Sequence, residues 1–464
     1  MAQLIASAPS WRSDLGTIVA IGWPLIINNL SSIAVATGDT LMAADLGATH
    51  LAAVAIGSGV WIAIFLFGLG TIMALSPTVA QHFGAGKLDE IAHDTRQGFW
   101  LAFVVSALAI VIMRSVEPLL HWLGIEAAVV ILAQGYLDAL SFGVIGAYFY
   151  HTLKQMCEGV GETVPIMSVM CAALPINVGL NYGFMYGHLG LEPLGAIGAG
   201  LGTAISFWLM FLGLAGVSVF HKKLNTYEIW GALERPDLTA IGRLVSLGLP
   251  IGLSLCLQSG LFTAAALIMG VISTVAVAAH QLVLNYSSLV FMVPLGFGMA
   301  LTVCVGQAVG RGDAAGAARI GRRGFVLCGF LSSISGLTTF LLAEPIARFY
   351  TDDAVVVATA VSIFKVAAFL QVADGVQVAA TFALRGLKDT RIPLLINAVC
   401  YWGVGFTVML FFGLHLEAGP VAIWVGLSMA LACAGTALIS RFVLKAEDIA
   451  GGAQVTSIVK EQFS

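Results

Sequence analysis

The sequence predicts an all-α integral membrane fold: twelve transmembrane helices arranged as two parallel six-helix repeats. Three observations carry that expectation. Apolar residues make up 59% of the chain and charged residues only 10%, against about 25% charged in soluble proteins, too few to cover a water-exposed surface of this size. Residues from about 22 to 100 recur 226 positions later. Nearly every Lys and Arg falls on one side of the expected membrane.

The repeat keeps its offset through its punctuation. Gly22 and Pro24 return as Gly248 and Pro250, Ala52-Ala53 as Ala278-Ala279, and Gln81 as Gln307. Gly84-Ala85-Gly86 becomes Gly310-Arg311-Gly312, and Arg96-Gln97-Gly98-Phe99 becomes Arg322-Arg323-Gly324-Phe325. Gly159 and Thr163 match Gly386 and Thr390 within a residue. Duplicated hydrophobic halves without a soluble domain between them are a common transporter plan.

A helix needs roughly 20 apolar residues to cross a bilayer. Reading between polar breaks places spans 1 to 12 around Ile27, Ile64, Val105, Phe142, Ala173, Phe207, Gln258, Val290, Leu331, Phe369, Cys400 and Met429. Strict alternation is absent, which argues against a β-barrel. With both termini cytoplasmic, all 21 Lys and Arg fall inside except Arg114, Arg348 and Lys365, as the positive-inside rule demands. An even number of spans per half makes the repeats parallel, related by an axis along the membrane normal. The expected division is an N-terminal lobe 13–222, a cytoplasmic linker 223–239, a C-terminal lobe 240–446 and a cytoplasmic tail 447–464.

The remaining chemistry is sparse. The seven cysteines are scattered singly, with no CxxC, so neither a disulfide framework nor a zinc site is indicated. Met1 to Ser13 have no basic n-region before a short apolar stretch, so no cleaved signal is expected. GxxxxGK[ST], GxGxxG after a strand, HExxH and GxSxG are all missing. The chain is expected not to be an enzyme and to need no cofactor. A net charge of −4 without a long basic run gives no reason to expect nucleic acid.

Polar residues in the hydrocarbon cost about 2.5–3.5 kcal/mol for a central Asp, so each needs a reason. Asp39 lies late in span 1, and Asn28 and Ser32 precede it by whole helical turns on one face. Its plainer reading is a hydrated cap at the outer helix end. Asp374 lies deep in span 10, with Gln371 and Gln377 a turn either side and Thr381 two turns on. Such a stripe faces protein or a water-filled cavity. Lys365 is off that face. Gln258 in span 7, Asn177 and Asn181 in span 5, and Gln281, Asn285 and Tyr286 in span 8 are further cavity candidates. Amides also glue helices together for about 0.6–2 kcal/mol, and that reading stays open for them.

These residues together resemble the multidrug and toxic compound extrusion (MATE) family, in its NorM-like bacterial branch. The likeness is carried by Gly38-Asp39-Thr40-Leu41-Met42 in span 1 and by Ala278-Ala279-His280-Gln281 with Leu284-Asn285-Tyr286-Ser287-Ser288 in span 8. Asp374-Gly375-Val376-Gln377 and Ala383-Leu384-Arg385-Gly386 carry it in span 10. The resemblance covers essentially the whole chain. It implies a V of two six-helix lobes in the bacterial inner membrane, exporting diverse, often cationic drugs and dyes in exchange for H⁺ or Na⁺. It carries ion coupling onto Asp39 and Asp374, and polar cavity positions onto Asn177 and Asn181. Where that branch usually has an acid in span 7, this chain has Gln258.

The expected function is therefore a secondary antiporter of amphipathic organic cations, surrounded by lipid and working as a monomer. Phe65, Trp208 and Phe291 are candidate aromatic surfaces for such a substrate. The competing functions are a flippase for lipid-linked saccharides and an integral-membrane enzyme. An anionic headgroup would want several Lys or Arg in the cavity, where only Lys365 lies within a span. An enzyme would want reactive carboxylates or His on a sizeable interfacial loop, of which the sequence has none. Protons are favoured as coupling ion because one desolvated carboxylate suffices to load and unload them. The alternative, Na⁺ held by Asp374, Gln258 and Tyr286, has little negative charge to replace a hydration shell.

Overall fold

The structure is a computed structural model describing residues 11–188, 190, 192–231, 234–416 and 418–462, with side chains as far as 449 apart from that of Leu414. Among the described residues every regular element is helical. Spans 1 to 3 are Trp11–Asp45, Ala48–Gly84 and Leu88–Arg114. Spans 5 to 10 are Val164–Tyr186, Ala196–Phe220, Leu238–Ile272, Thr274–Gly310, Ala314–Leu341 and Ala354–Gly386. Spans 11 and 12 are Arg391–Gly413 and Gly419–Ile449. Among the described residues these are 11 helices long and apolar enough to cross a membrane, and the bent pair Ala127–Ser141 and Val144–Gly159, counted as span 4, makes twelve.

Local chemistry sets the ends. Gly86 and Gly312, equivalent in the repeat, close their turns at φ of 71° and 76°, a left-handed conformation that favours glycine. Ser273, Asp313 and Asp353 cap the starts of spans 8, 9 and 10 by accepting backbone N–H bonds, each satisfying an otherwise orphaned donor. Three features depart from regular helices, the first being a turn at Met73-Ala74 that divides span 2 into the helices Ala48–Ile72 and Leu75–Gly84. Span 4 bends by 50° at Phe142-Gly143, where a Cβ on Gly143 would lie 2.4 Å from the Cα of Ala204 in span 6. Span 11 carries π-helical turns at Val399–Gly405 and Met409–His415.

The helices form two compact units. The first comprises Ile27–Phe83 and Lys87–Gly252; its core gathers Trp61, Tyr136, Leu137, Leu140, Tyr148 and Met185 from spans 2, 4 and 5. The second comprises Leu253 onward, Gly84–Gly86 and the residues up to Ile26. The boundary thus falls inside spans 1 and 7, just after Pro24 and Pro250, at positions separated by the repeat offset.

Matching close approaches hold the exchanged beginnings. In the first unit a Cβ on Gly70 would lie 2.3 Å from Gly252 Cα. In the second, the equivalent Gly296 is so near span 1 that a Cβ would lie 3.0 Å from Ile26 N. Polar clamps sit at the helix starts. In the first unit Arg96 pairs with Glu234, His93 Nδ1 lies 2.6 Å from Glu234, and Trp100 donates to the Glu234 carbonyl at 3.0 Å. In the second unit Asp14 takes Arg319 at 3.1 Å and Arg323 at 2.6 Å.

Candidate functional site

Among the buried carboxylates of the spans are Asp39 in the first unit and Asp374 in the second, and the two are furnished differently. In the first unit, Asn177 and Asn181 stand one turn apart on span 5, and Thr203 and Ser206 stand one turn apart on span 6. That spacing joins all four in one hydrogen-bonded network, of which Asn181 and Thr203 reach Asp39 of span 1. Asn181 Nδ2 donates to Asp39 Oδ1 at 2.5 Å, and Thr203 Oγ1 donates to Oδ2 at 3.2 Å. Behind them Asn181 also reaches Asn177 Oδ1 at 3.3 Å, while Asn177 Nδ2 reaches Thr203 at 3.4 Å and Ser206 at 3.3 Å. Asp39 is 9% exposed and Asn181 fully buried, so Asp39 joins an interior network. Hydrogen bonds to an ionised acceptor are roughly twice as strong as neutral ones, so the network orients Asp39 firmly.

In the second unit, Asp374 on span 10 is 8% exposed, and its Oδ1 has no hydrogen-bond partner. It lines a cavity of about 180 Å³ with Ser287, Phe291 and Pro294 of span 8 and Ser332 and Ser335 of span 9. Its two glutamine neighbours are engaged elsewhere. Gln371 Oε1 accepts from Ser335 at 2.8 Å, and Gln371 Nε2 donates to Thr339 at 3.1 Å. Gln377 Nε2 donates to Tyr401 at 2.9 Å and to Thr381 at 3.1 Å.

The other sequence-predicted residues are spread out. Asn28 is buried beside Tyr150, whose hydroxyl donates to it at 3.5 Å, and Ser32 on the same face is exposed. Gln258 is half-buried, Gln281 and Asn285 are exposed, and Asn285 accepts from Tyr350 at 3.0 Å. Tyr286 accepts from Thr339 at 3.2 Å. Neither Gln258 nor Tyr286 lines the Asp374 cavity. Lys365 is exposed. Phe65 packs 4.9 Å from Trp61, Trp208 donates to the Phe142 carbonyl at 2.8 Å, and Phe291 lines the cavity. Sequence reading missed Thr203, Ser206, Ser287 and Ser332; small hydroxyls recurring at helical spacing beside an intramembrane acid were their only signal.

Among the described residues no group of three or more His, Cys, Asp or Glu side chains is placed to hold a metal ion. Outside the membrane, one ionisable cluster is the clamp at Glu234. Partial burial works against its carboxylate, but hydrogen bonds from Arg96 and His93, and their charges, outweigh it and hold its pKa below the usual value of 4.5.

Known proteins agree with this architecture. The sequence profile of the MatE family matches residues 24–183 and again 250–411, so its two matches begin the repeat offset apart. The multidrug resistance protein MdtK of Pectobacterium atrosepticum is 37% identical over 436 residues, covering 93% of this chain and 95% of that protein. Among solved structures, a MATE in complex with MaL6 superimposes with a TM-score of 0.87 at 18% identity, covering 97% of this chain and 99% of that one. The eukaryotic MATE transporter AtDTX14 gives 0.84 at 18% identity, covering 96% and 99%. Two profile matches spanning most of the chain, a bacterial relative matched end to end, and the fold itself converge: this multi-pass membrane protein belongs to the MATE family of secondary transporters, close to the bacterial MdtK- and NorM-type exporters, and is not an enzyme.

Proposed function

We propose that the protein exports amphipathic organic cations from the bacterial cytoplasm across the inner membrane, with both termini inside and working as a monomer. Inward flow of H⁺ drives it, with Na⁺ as the alternative. The observation that carries this reading is the contrast between the two carboxylates. Asp39 is held by two donors, whereas Asp374 keeps one buried oxygen unpartnered beside a cavity. An oxygen with no internal partner is free to take up and give back a cation as access alternates between the two sides. A driving ion is required, because moving one positive charge outward against an inside-negative potential costs about 2.3 kcal/mol per 100 mV. Among the described residues Asp39 and Asp374 are buried without an ion-pair partner. The buried Lys154 is paired with Glu158 at 3.6 Å, the buried Arg385 lies over the Phe382 ring and Lys365 is exposed. That balance favours cationic over anionic cargo.

The test is dye efflux by purified protein in liposomes, with a pH or a Na⁺ gradient imposed at fixed membrane potential. Efflux following the pH gradient is expected. Efflux that follows Na⁺ and ignores pH overturns the proton assignment. Export of lipid-linked saccharides without any cationic dye overturns the substrate class.

A further inference from the structure

The cysteines are scattered singly along the sequence, yet two of them meet in the fold. Cys400 of span 11 donates its thiol to Cys433 of span 12 with the sulfurs 3.4 Å apart. A disulfide bond is about 2.0 Å long, so the sulfurs need to close by only about 1.4 Å to become bonded.

Span 11 is deformed at this contact. Cys400 lies in the π-helical turn Val399–Gly405. On an α-helix, residues five apart point about 140° away from each other. The wider π turn, with its i→i+5 bonds, instead stacks Gly405 over Cys400. A Cβ on Gly405 would lie 3.6 Å from the Cys400 carbonyl oxygen and 2.6 Å from Ala430 Cβ of span 12. Ala430 and Cys433 are three residues apart and so neighbours on one face of span 12. Gly426, one turn before Ala430, allows the approach: a Cβ there would lie 3.0 Å from the Gly405 carbonyl oxygen. The π turn thereby brings Cys400 to the face of span 11 that packs on span 12. Such turns within α-helices are frequent at functional sites.

The two thiols differ in access. Cys400 is 5% exposed, whereas Cys433 is exposed, on a stripe of span 12 with Val425 and Met429 at helical spacing. An apolar stripe on a span admits membrane-soluble reagents. Span 10 also meets the pair. Tyr401, next to Cys400, accepts from Gln377 of span 10 at 2.9 Å, and a Cβ on Gly435 of span 12 would lie 3.4 Å from Gln377 Cβ. Bridging the thiols would fix the turn that carries Tyr401 and, through Gln377, restrain span 10.

We propose that Cys400 and Cys433 are the site of a reversible disulfide that ties span 11 to span 12 and slows transport, with an organic hydroperoxide as oxidant. The Cys433 sulfur attacks the terminal peroxide oxygen and the O–O bond breaks. The alkoxide leaves with the thiol proton as an alcohol, and Cys433 becomes a sulfenic acid. The Cys400 sulfur then attacks the Cys433 sulfur, forming the disulfide and releasing water. Two thiols and one hydroperoxide yield one disulfide, one alcohol and one water, and a dithiol reductant reopens the bridge by exchange. The dithiol is the resting form in a reducing cell. The proposal holds whichever ion drives transport.

The experiment treats the reduced full chain in liposomes with cumene hydroperoxide, then denatures it, alkylates with N-ethylmaleimide and digests. Mass spectrometry should show a joined pair of peptides containing Cys400 and Cys433, which dithiothreitol separates. Efflux of a cationic dye should fall severalfold as the bridge forms and recover on reduction. Cys433→Ser and Cys400→Ser should each keep their untreated rate after peroxide, and either one suffices if the other folds poorly. Both thiols still alkylated after treatment, or Cys433 oxidised further without a bridge, overturns the site. A bridge that leaves efflux unchanged overturns its control of transport. Equal loss of efflux in the serine variants and the unaltered chain overturns that control as well, because the oxidation then acts elsewhere.

Discussion

Gly202 of span 6 faces Asn181 of span 5 so closely that a Cβ at 202 would lie 2.2 Å from Asn181 Oδ1. The same Asn181 donates to Asp39, and Thr203, next to Gly202, donates to the other carboxylate oxygen. The missing side chain at 202 is therefore part of what positions an acid on a third helix. Gly202→Ala should displace Asn181 and cost efflux about tenfold, the effect of about 1.4 kcal/mol in a hydrogen bond to a charged group. The check is dye efflux alongside thermal stability in detergent; wild-type efflux would show that Asn181 does not hold Asp39 for transport.

Asp374→Asn should abolish gradient-driven efflux while the protein still inserts and folds, because an amide cannot release a proton or neutralise a cation. Gln258→Ala should cost severalfold at most, since Gln258 is half-buried and away from the Asp374 cavity. Efflux in cells, normalised to membrane-inserted protein, ranks the two; a larger loss at Gln258 would reverse the assignment.

The clamp between span 3 and the start of span 7 gives an acid-dependent term. Glu234 has its pKa lowered in the fold despite partial desolvation, through Arg96 and His93. A depressed carboxylate contributes stability that is present above its unfolded value of 4.5 and is lost as pH falls through the lower folded value. Thermal melts of purified protein should therefore drop below about pH 4.5, and Glu234→Gln should flatten part of that fall. An identical acid profile in the variant would remove Glu234 from the account.

Much of the fold was legible because hydropathy reports length directly: every expected span centre lies within an observed span, including Phe142 of the bent pair. The bend itself was not legible. Gly143 breaks span 4 because Ala204 of span 6 comes so near, a tertiary fact absent from local sequence. The π-helical turns of span 11 were hidden for the same reason. At the site, Asp39 and Asp374 stood out because acids are costly in hydrocarbon. Thr203, Ser287 and Ser332 did not, because a hydroxyl in a helix satisfies itself on the preceding turn in most settings.

Both termini are proposed to face the cytoplasm, and this can be checked at one place. A cysteine introduced between Lys222 and Lys223, in the first turn of the short helix Lys222–Asn225, should react with membrane-impermeant thiol reagent only after the cells are opened. Labelling of intact cells would invert the topology.

The unit boundaries inside spans 1 and 7 bear on ancestry. Each half of the sequence lends the beginning of its opening helix, up to Ile26 or Gly252, to the other half's compact unit, through approaches that match across the repeat, Gly70 to Gly252 and Gly296 to Ile26. A single six-span ancestor could not have filled both roles alone; two copies would have swapped the beginnings of their first helices, as domain-swapped dimers exchange an element. Gene duplication would then have joined an obligate pair rather than two independent bodies. A chain severed in the linker should accordingly yield halves that are unstable apart and recover transport only when made together.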